Sequence, residues 1–179
     1  MNLKDIIKRI SIAFSNRDVK ELKVVHDICT YELGLTHEKN VLSVAILAYS
    51  LAKFLTKPRL VGEFSQEYVI RMRELLQSAK YVNSDEQLNK IVQEAIGIII
   101  EWENTDKRFA KSIIQKAKLK IAATLYAQGF SLKTTSELTG AEETDIMSYI
   151  GSTLFADRLK EGLDIHERLK RIEKLIEPP

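Results

Sequence analysis

Apolar residues recur every three or four positions along most of this 179-residue chain. That spacing places them on one face of an α-helix. Glycine and proline are scarce, at seven and three residues, so the chain has few positions at which it can turn sharply. No stretch shows the apolar and polar alternation of a half-buried strand. The sequence therefore predicts an all-α protein, and its 45% hydrophobic residues are enough for a sizeable core.

Candidate capping residues and glycines divide this pattern into separate helices. Gly34 is expected to end the second helix, and Thr36 to cap the third, which is apolar nearly all round and should be the central core helix. Thr105 is expected to cap the sixth helix. The predicted helices cover about residues 3–14, 18–33, 37–56, 64–81, 85–103, 105–128, 132–139, 142–150 and 164–176.

Residues 129–150 read GFSLKTTSELTGAEETDIMSYI and have the features of two short helices joined by a turn. Gly129 is expected to end the preceding helix with a positive φ. Ser131 is expected to cap the next helix by accepting a backbone N–H. Gly140 supplies a tight turn, after which Ile146 should face inwards.

This stretch resembles the helix-turn-helix of the sigma-factor C-terminal region and of related bacterial and archaeal regulator domains. The resemblance covers about 22 of the 179 residues. Asp145, Met147 and Tyr149 stand where the family has Thr, Lys and Arg, so the family's phosphate- and base-contacting groups are not carried over there. Thr135 and Thr139 replace apolar residues, which implies looser packing. The matching positions are Gly129, Ser131, Glu137, Leu138, Gly140, Glu143 and Ser148, with conservative matches at Ile146 and Ile150.

Charge is distributed unevenly around this stretch. Residues 105–134 contain seven basic residues and one acidic residue, whereas residues 135–157 contain five acidic residues and no basic one. Glu142, Glu143 and Asp145 fall in a first helical turn, where the macrodipole favours negative charge by roughly 0.3–1 kcal/mol each. The same end of a recognition helix usually meets base edges, where three carboxylates would be repelled by phosphates.

Basic side chains of the predicted helix at 105–128 are candidates to offset the repulsion between these carboxylates and DNA phosphates. At 100° per residue, three of its lysines share one stripe with an arginine beside it; the alternative is that they only solvate a long helix. If the chain binds DNA, we expect phosphate contacts from this stripe, with short hydroxyl side chains as neighbours. The predicted nucleic-acid-binding residues are Lys107, Arg108, Lys111, Lys118, Lys133, Thr134, Thr144 and Ser148.

The sequence contains none of the common catalytic or metal-binding patterns. It lacks GxxxxGK[ST], GxGxxG, HExxH and GxSxG, so no enzyme activity, catalytic residue, cofactor or metal site is predicted. The single cysteine, Cys29, excludes an internal disulfide and a multi-Cys zinc site, and we expect it to be buried. His26 lies one turn from Cys29, but a satisfied or surface histidine is expected rather than a metal ligand.

Charged residues and the length of apolar runs predict where the protein is located and whether it associates with a membrane. Charged residues interrupt the N-terminus, which is therefore not a signal peptide. The longest uncharged apolar run, about 41–52, is too short to span a bilayer. These features predict a cytoplasmic protein without membrane association.

The sequence thus predicts a five-helix bundle over 1–104 and a helix-turn-helix region with a C-terminal packing helix over 105–179, around one continuous core. The predicted function is a nucleic-acid-binding regulatory protein, with DNA favoured over RNA. A homodimer is expected because such readers generally need two half-sites, and the helix at 164–176 has a narrow apolar seam that can pack on its own chain or on a partner. The alternative is a protein-interaction or adaptor module whose acidic second helix binds a basic protein partner.

Overall fold

The computed structural model describes residues 2–56, 63–105 and 112–153, and within these ranges the chain contains helices and no strand. The predicted all-α fold is confirmed. The predicted last helix, at 164–176, lies outside the described residues. The helices are α1 (Leu3–Ser15), α2 (Val19–Thr36), α3 (Lys39–Leu55), α4 (Glu63–Ser78) with a following 3-10 helix (Ala79–Tyr81), α5 (Asp85–Thr105), α6 (Ile113–Ala127), α7 (Leu132–Thr139) and α8 (Glu143–Thr153).

Helix α3 is the central helix of the bundle. Eleven of its 17 residues are buried, as expected for a helix that is apolar on nearly every side. Helix α2 lies along it, and α5 and α6 also pack against it. The position of α3 inside the bundle is the one that its sequence predicts.

One hydrophobic cluster extends from α1 to α6. Phe54 of α3 meets Trp102 of α5 edge-on, with ring centroids 4.5 Å apart. Ile121 and Leu125 of α6 belong to the same cluster and are fully buried. The bundle and α6 therefore share one core, which fixes the position of the helices that follow α6.

Helix α2 ends later than the sequence predicts. It continues through Gly34, and the chain leaves it at His37, which takes a left-handed conformation with φ 57°. At Gly34 a Cβ would lie 3.2 Å from both Leu125 Cδ2 and the Phe130 ring. Glycine is therefore favoured here by the close approach of α2 to the side chains of Leu125 and Phe130, and it does not end the helix.

Two residues that were predicted to cap the start of a helix instead lie at the end of the preceding helix. Thr36 is the last residue of α2, and α3 begins at Lys39 after Glu38, whose side chain makes no capping hydrogen bond. Thr105 is the last residue of α5, and Ser112 caps α6 by accepting a hydrogen bond from the N–H of Ile114. The predicted helix start at 105 is wrong because α5 extends to that residue.

Candidate functional site

Helices α6, α7 and α8 pack on one another and are called the three-helix unit below. Gly129 and Gly140 take positive φ values of 101° and 64°. The sequence predicts the positive φ at Gly129 and a tight turn at Gly140. Ser131 caps α7 by accepting a hydrogen bond from the N–H of Thr134 at 3.1 Å. Helix α7 has the predicted bounds, and α8 runs to Thr153 rather than ending near 150.

A second, smaller core joins α6 to α8. It contains Leu119 and Ala122 of α6 together with Ala141 and Ile146, and Ile146 is fully shielded from solvent, as predicted. The opposite side of α6 belongs to the large core. Helix α6 is thus buried on two sides and connects α8 to the bundle.

Two threonines of α7 stand where the helix-turn-helix family has apolar residues, and both are buried. Thr135 and Thr139 are 0% and 1% exposed. Each hydroxyl donates a hydrogen bond of 2.8 Å to the carbonyl one turn earlier, of Ser131 and Thr135 respectively. Since both hydroxyls are satisfied within the helix, neither threonine leaves an unpaired polar group in the core.

The outer surface of α8 is acidic at its N-terminal end. Glu142, Glu143 and Thr144 are exposed, and residues 134–153 contain no lysine or arginine. Further along, Ser148 is exposed and Met147 is 46% exposed. The surface therefore combines carboxylates, short hydroxyl groups and one apolar side chain.

Lys118 is half-buried and reaches the turn between α7 and α8. Its Nζ lies 3.7 Å from the position that a Cβ on Gly140 would occupy. This places the ammonium group close to the C-terminal end of α7, where the helix macrodipole favours a cation. Lys118 is therefore placed where its charge can stabilise the turn, a position that the sequence pattern did not indicate.

The remaining predicted contact residues fall into three groups: one is half-buried, some are exposed, and some lie outside the described residues. Thr134 is half-buried, and its Oγ1 lies 2.8 Å from the Oγ of Ser131, so its hydroxyl takes part in the cap of α7. Those with exposed side chains are Lys133, Thr144 and Ser148. Those outside the described residues are Lys107, Arg108 and Lys111.

A cavity of about 550 Å³ lies between the three-helix unit and the bundle. It is lined by side chains from α2, α3, α6 and α8, and none of the described residues that line it is acidic. Its basic side chains are Lys23, Lys53 and Lys120. Tyr49 and Tyr149 supply two aromatic rings. We call this space the lysine cavity.

His26 lies in the wall of the lysine cavity. Its Nδ1 is 3.1 Å from the carbonyl oxygen of Ala45, so Nδ1 carries the hydrogen and donates it. Burial lowers the pKa of His26; the hydrogen bond to Ala45 opposes this shift, and the charge of Lys120 adds to it. The neutral ring therefore presents Nε2 as an acceptor, and this buried atom has no hydrogen-bond partner among the described residues.

The sequence did not single out the lysine cavity, because four separate helices contribute to it. Lys23 and His26 are three residues apart, and Tyr49 and Lys53 are four apart; such spacings occur on most amphipathic helices. Only the packing of α3 and α6 brings these pairs together. Lys120 of α6 lines the cavity, whereas Lys118 of the same helix reaches the α7–α8 turn.

Comparison of the chain with known proteins gives no significant match to a family model, to a curated protein or to a solved structure. Among the described residues, no helix is both long and apolar enough to cross a membrane. The same residues contain no group of three or more His, Cys, Asp or Glu side chains that could hold a metal ion.

Proposed function

We propose that this chain is a DNA-binding regulatory protein of the cytoplasm, in which α7 and α8 form a helix-turn-helix supported by α6. The observation that supports this most directly is the turn between the two helices. Gly140 takes the left-handed conformation there, and Ile146 is buried against α6. That arrangement leaves Thr144 and Ser148 exposed on one side of α8, the side that a recognition helix presents to the major groove.

In this proposal the two kinds of contact come from different parts of the unit. The hydroxyl groups of Thr144 and Ser148 are hydrogen-bonding neighbours of the base edges. Lys133 on α7 and Lys118 on α6 contact phosphates, together with the basic residues 107, 108 and 111. Two copies of the chain are expected to bind two half-sites. No catalytic role is assigned to any residue.

A second candidate function is binding of a basic protein partner through α8. The acidic first turn of α8 favours it, since Glu142 and Glu143 are exposed and would repel phosphates. Met147 is 46% exposed on the same helix and offers an adaptable apolar contact. A surface with carboxylates around an apolar side chain suits a basic amphipathic segment.

A gel-shift titration on random duplex DNA at two salt concentrations tests the first proposal. Affinity should fall with salt by a slope of about −0.9 in log K against log salt for each neutralised phosphate. The double variant Lys118→Ala and Lys133→Ala should flatten this slope by up to about 2 units. Lys90→Ala, on the distant helix α5 and paired with Glu86, is the matched control and should leave the slope unchanged.

Two outcomes separate the candidate functions. Absence of binding at about 50 mM salt, where phosphate contacts are strong, would reject the DNA-binding function. Titration with a lysine-rich peptide then tests the second candidate, and the double variant Glu142→Gln and Glu143→Gln should weaken that binding.

A further inference from the structure

We propose that the C-terminal segment, residues 164–176, docks as a helix on the solvent-facing side of α2 in the same chain. The docking surface, called the α2 stripe below, consists of four exposed apolar side chains: Val24, Ile28, Tyr31 and Leu35. This surface is separate from the exposed side of α8 discussed above. The inference holds whether or not the chain binds DNA.

The first argument is the position of the α2 stripe. At about 100° per residue its four side chains fall within about 60° of one another, on the side of α2 opposite to Leu22, Cys29 and Leu33 of the large core. Their exposed fractions are 45, 38, 60 and 66%. Every other helix exposes at most one large apolar side chain among the described residues. Single exposed apolar side chains are ordinary, whereas a contiguous patch of them marks an interaction surface.

The second argument is that the C-terminal segment has an apolar stripe of the same spacing. The residues of both stripes follow one another at intervals of four, three and four. This is the spacing at which two helices interlock their side chains along their length. Each stripe extends over 11 helical steps, or about 16–17 Å, so the two can cover each other from end to end. The apolar residues of the segment are Ile165, Leu169, Ile172 and Ile176.

The third argument is that the segment needs a surface on which to pack. It has only 13 residues, and isolated helices shorter than about 12–15 residues are marginal in water. The side opposite its apolar stripe carries Lys170, Arg171 and Lys174. Docking on α2 would bury the apolar side and leave these charges in water, as in other amphipathic helices.

The fourth argument is the place where α8 ends. Ser152 and Thr153 line the same cavity as Lys23, which directly precedes the α2 stripe. Ten residues, 154–163, connect α8 to the segment, and ten residues can extend over at most about 33–36 Å. This is about twice the length of the stripe, so the segment can reach the α2 stripe of its own chain. A short connection also raises the effective concentration to about the millimolar range, which favours the same chain over a second copy.

Hydrogen exchange of the full chain, followed by mass spectrometry, tests the proposal. The amides of residues 164–176 should exchange at least about tenfold more slowly than in a free peptide of the same sequence, because a docked helix keeps its hydrogen bonds closed. Exchange at the rate of the free peptide would overturn the proposal.

Variants of exposed residues connect this protection to the α2 stripe. Tyr31→Asp places a carboxylate in the stripe and should remove the protection of residues 164–176 while the helix content stays unchanged by circular dichroism. The matched control is Ile100→Asp on α5, at a side chain that is 43% exposed, and it should leave the protection intact. Retained protection in Tyr31→Asp, or an equal loss in both variants, would overturn the proposal.

Cysteine pairs locate the contact. Tyr31→Cys is combined with Leu169→Cys for an antiparallel arrangement of the two helices, or with Ile172→Cys for a parallel one. One of the two pairs should form a disulfide under mild oxidation, and Ile100→Cys combined with Leu169→Cys should not. The native Cys29 is buried and does not compete. Failure of both pairs to form a disulfide would overturn the proposal.

Protein concentration separates the same chain from a second copy. In the proposal the disulfide-linked product has the mass of one chain, and the protection of residues 164–176 stays the same on tenfold dilution. The apolar side of the segment is then not available for a homodimer. Disulfide-linked dimers, or protection that is lost on dilution, would assign the α2 stripe to a second copy and overturn docking within one chain.

Discussion

The carboxylate of Glu103, near the end of α5, caps the first turn of α6. Its Oε2 accepts a hydrogen bond from the Oγ of Ser112 at 2.7 Å, and its Oε1 accepts one from the N–H of Ile113. Glu103 is only 8% exposed. A carboxylate at the N-terminus of a helix is stabilised by the unpaired N–H groups and by the macrodipole. Glu103 therefore joins the last helix of the bundle to the first helix of the three-helix unit.

Replacing Glu103 by Ala should lower the free energy of unfolding by about 1–3 kcal/mol, because a buried N–H loses its partner. The matched control is Glu101→Ala. Glu101 is exposed and pairs with Arg71 at 2.9 Å, and such a surface pair contributes about 0–1 kcal/mol. Urea unfolding of both variants provides the comparison, and equal losses would contradict a capping role for Glu103.

The glycines of α2 and α5 should respond in opposite ways to alanine. In Gly34→Ala the new methyl meets Leu125 and Phe130 at 3.2 Å, and overpacking of this kind costs about 1–3 kcal/mol. In Gly97→Ala the methyl meets nothing within 4 Å, so the helix should gain about 0.5–1 kcal/mol. Thermal unfolding measures both changes. A stabilised Gly34→Ala variant would contradict the close approach at Gly34.

Other glycines, compared with Gly34, show which roles a sequence can predict. Gly129, Ser131 and Gly140 have the roles that the sequence assigns because each role depends on neighbouring residues, namely a positive φ or a cap three residues away. Gly34 was misassigned because its role depends on Leu125, which is 91 positions away in the sequence. A local pattern does not distinguish a glycine that ends a helix from one that lets another helix approach.

The same distinction applies to the candidate sites. The turn and the exposed side of α8 could be predicted, because one continuous stretch forms them. The lysine cavity could not be predicted, since Lys23, Lys53 and Lys120 come from three helices. A local sequence pattern does not show how these helices pack. The cap formed by Glu103 was missed for a related reason: its partners Ser112 and Ile113 follow a helix end that was predicted in the wrong place.

Mild acid should destabilise the protein through His26. The folded state has a lowered pKa at this residue, chiefly because of burial, while the unfolded chain keeps the ordinary value of about 6.5. The unfolded state therefore binds the proton first as pH falls below about 6.5, and stability present above that pH is lost. Asp27 opposes this effect and Lys120 strengthens it.

The test is urea unfolding between about pH 7 and pH 5, a range that spans the ordinary histidine pKa. In His26→Gln the loss of stability over this range should be smaller than in the unchanged protein. His37→Asn is the control, since His37 is exposed and its left-handed conformation suits asparagine. An identical pH dependence in His26→Gln and the unchanged protein would show that His26 does not cause the loss.

Alkaline conditions should destabilise the protein through Cys29 and Tyr49. Burial raises the pKa of Cys29 to about 12 and that of Tyr49 to about 12. The unfolded chain therefore ionises first as pH rises, at about pH 9 for a thiol. The free energy of unfolding is unaffected below that pH and falls between about pH 9 and 12. The Cys29 thiol should accordingly react with a disulfide reagent at pH 8 far more slowly in the folded than in the unfolded chain. Equal rates would contradict its burial.

The negative charge of α8 provides a prediction that distinguishes the two candidate functions. Asp145 lies in the first turn of α8, so Asp145→Asn removes a stabilising interaction with the macrodipole worth about 0.3–1 kcal/mol. If α8 meets DNA, the same change removes a repulsion of up to about 1 kcal/mol and should strengthen binding up to about fivefold, as measured by fluorescence anisotropy. Glu94→Gln, an exposed change on α5, is the control and should leave DNA affinity unchanged. If α8 instead meets a basic protein segment, Asp145→Asn should weaken binding of a lysine-rich peptide, because the peptide loses an attractive carboxylate.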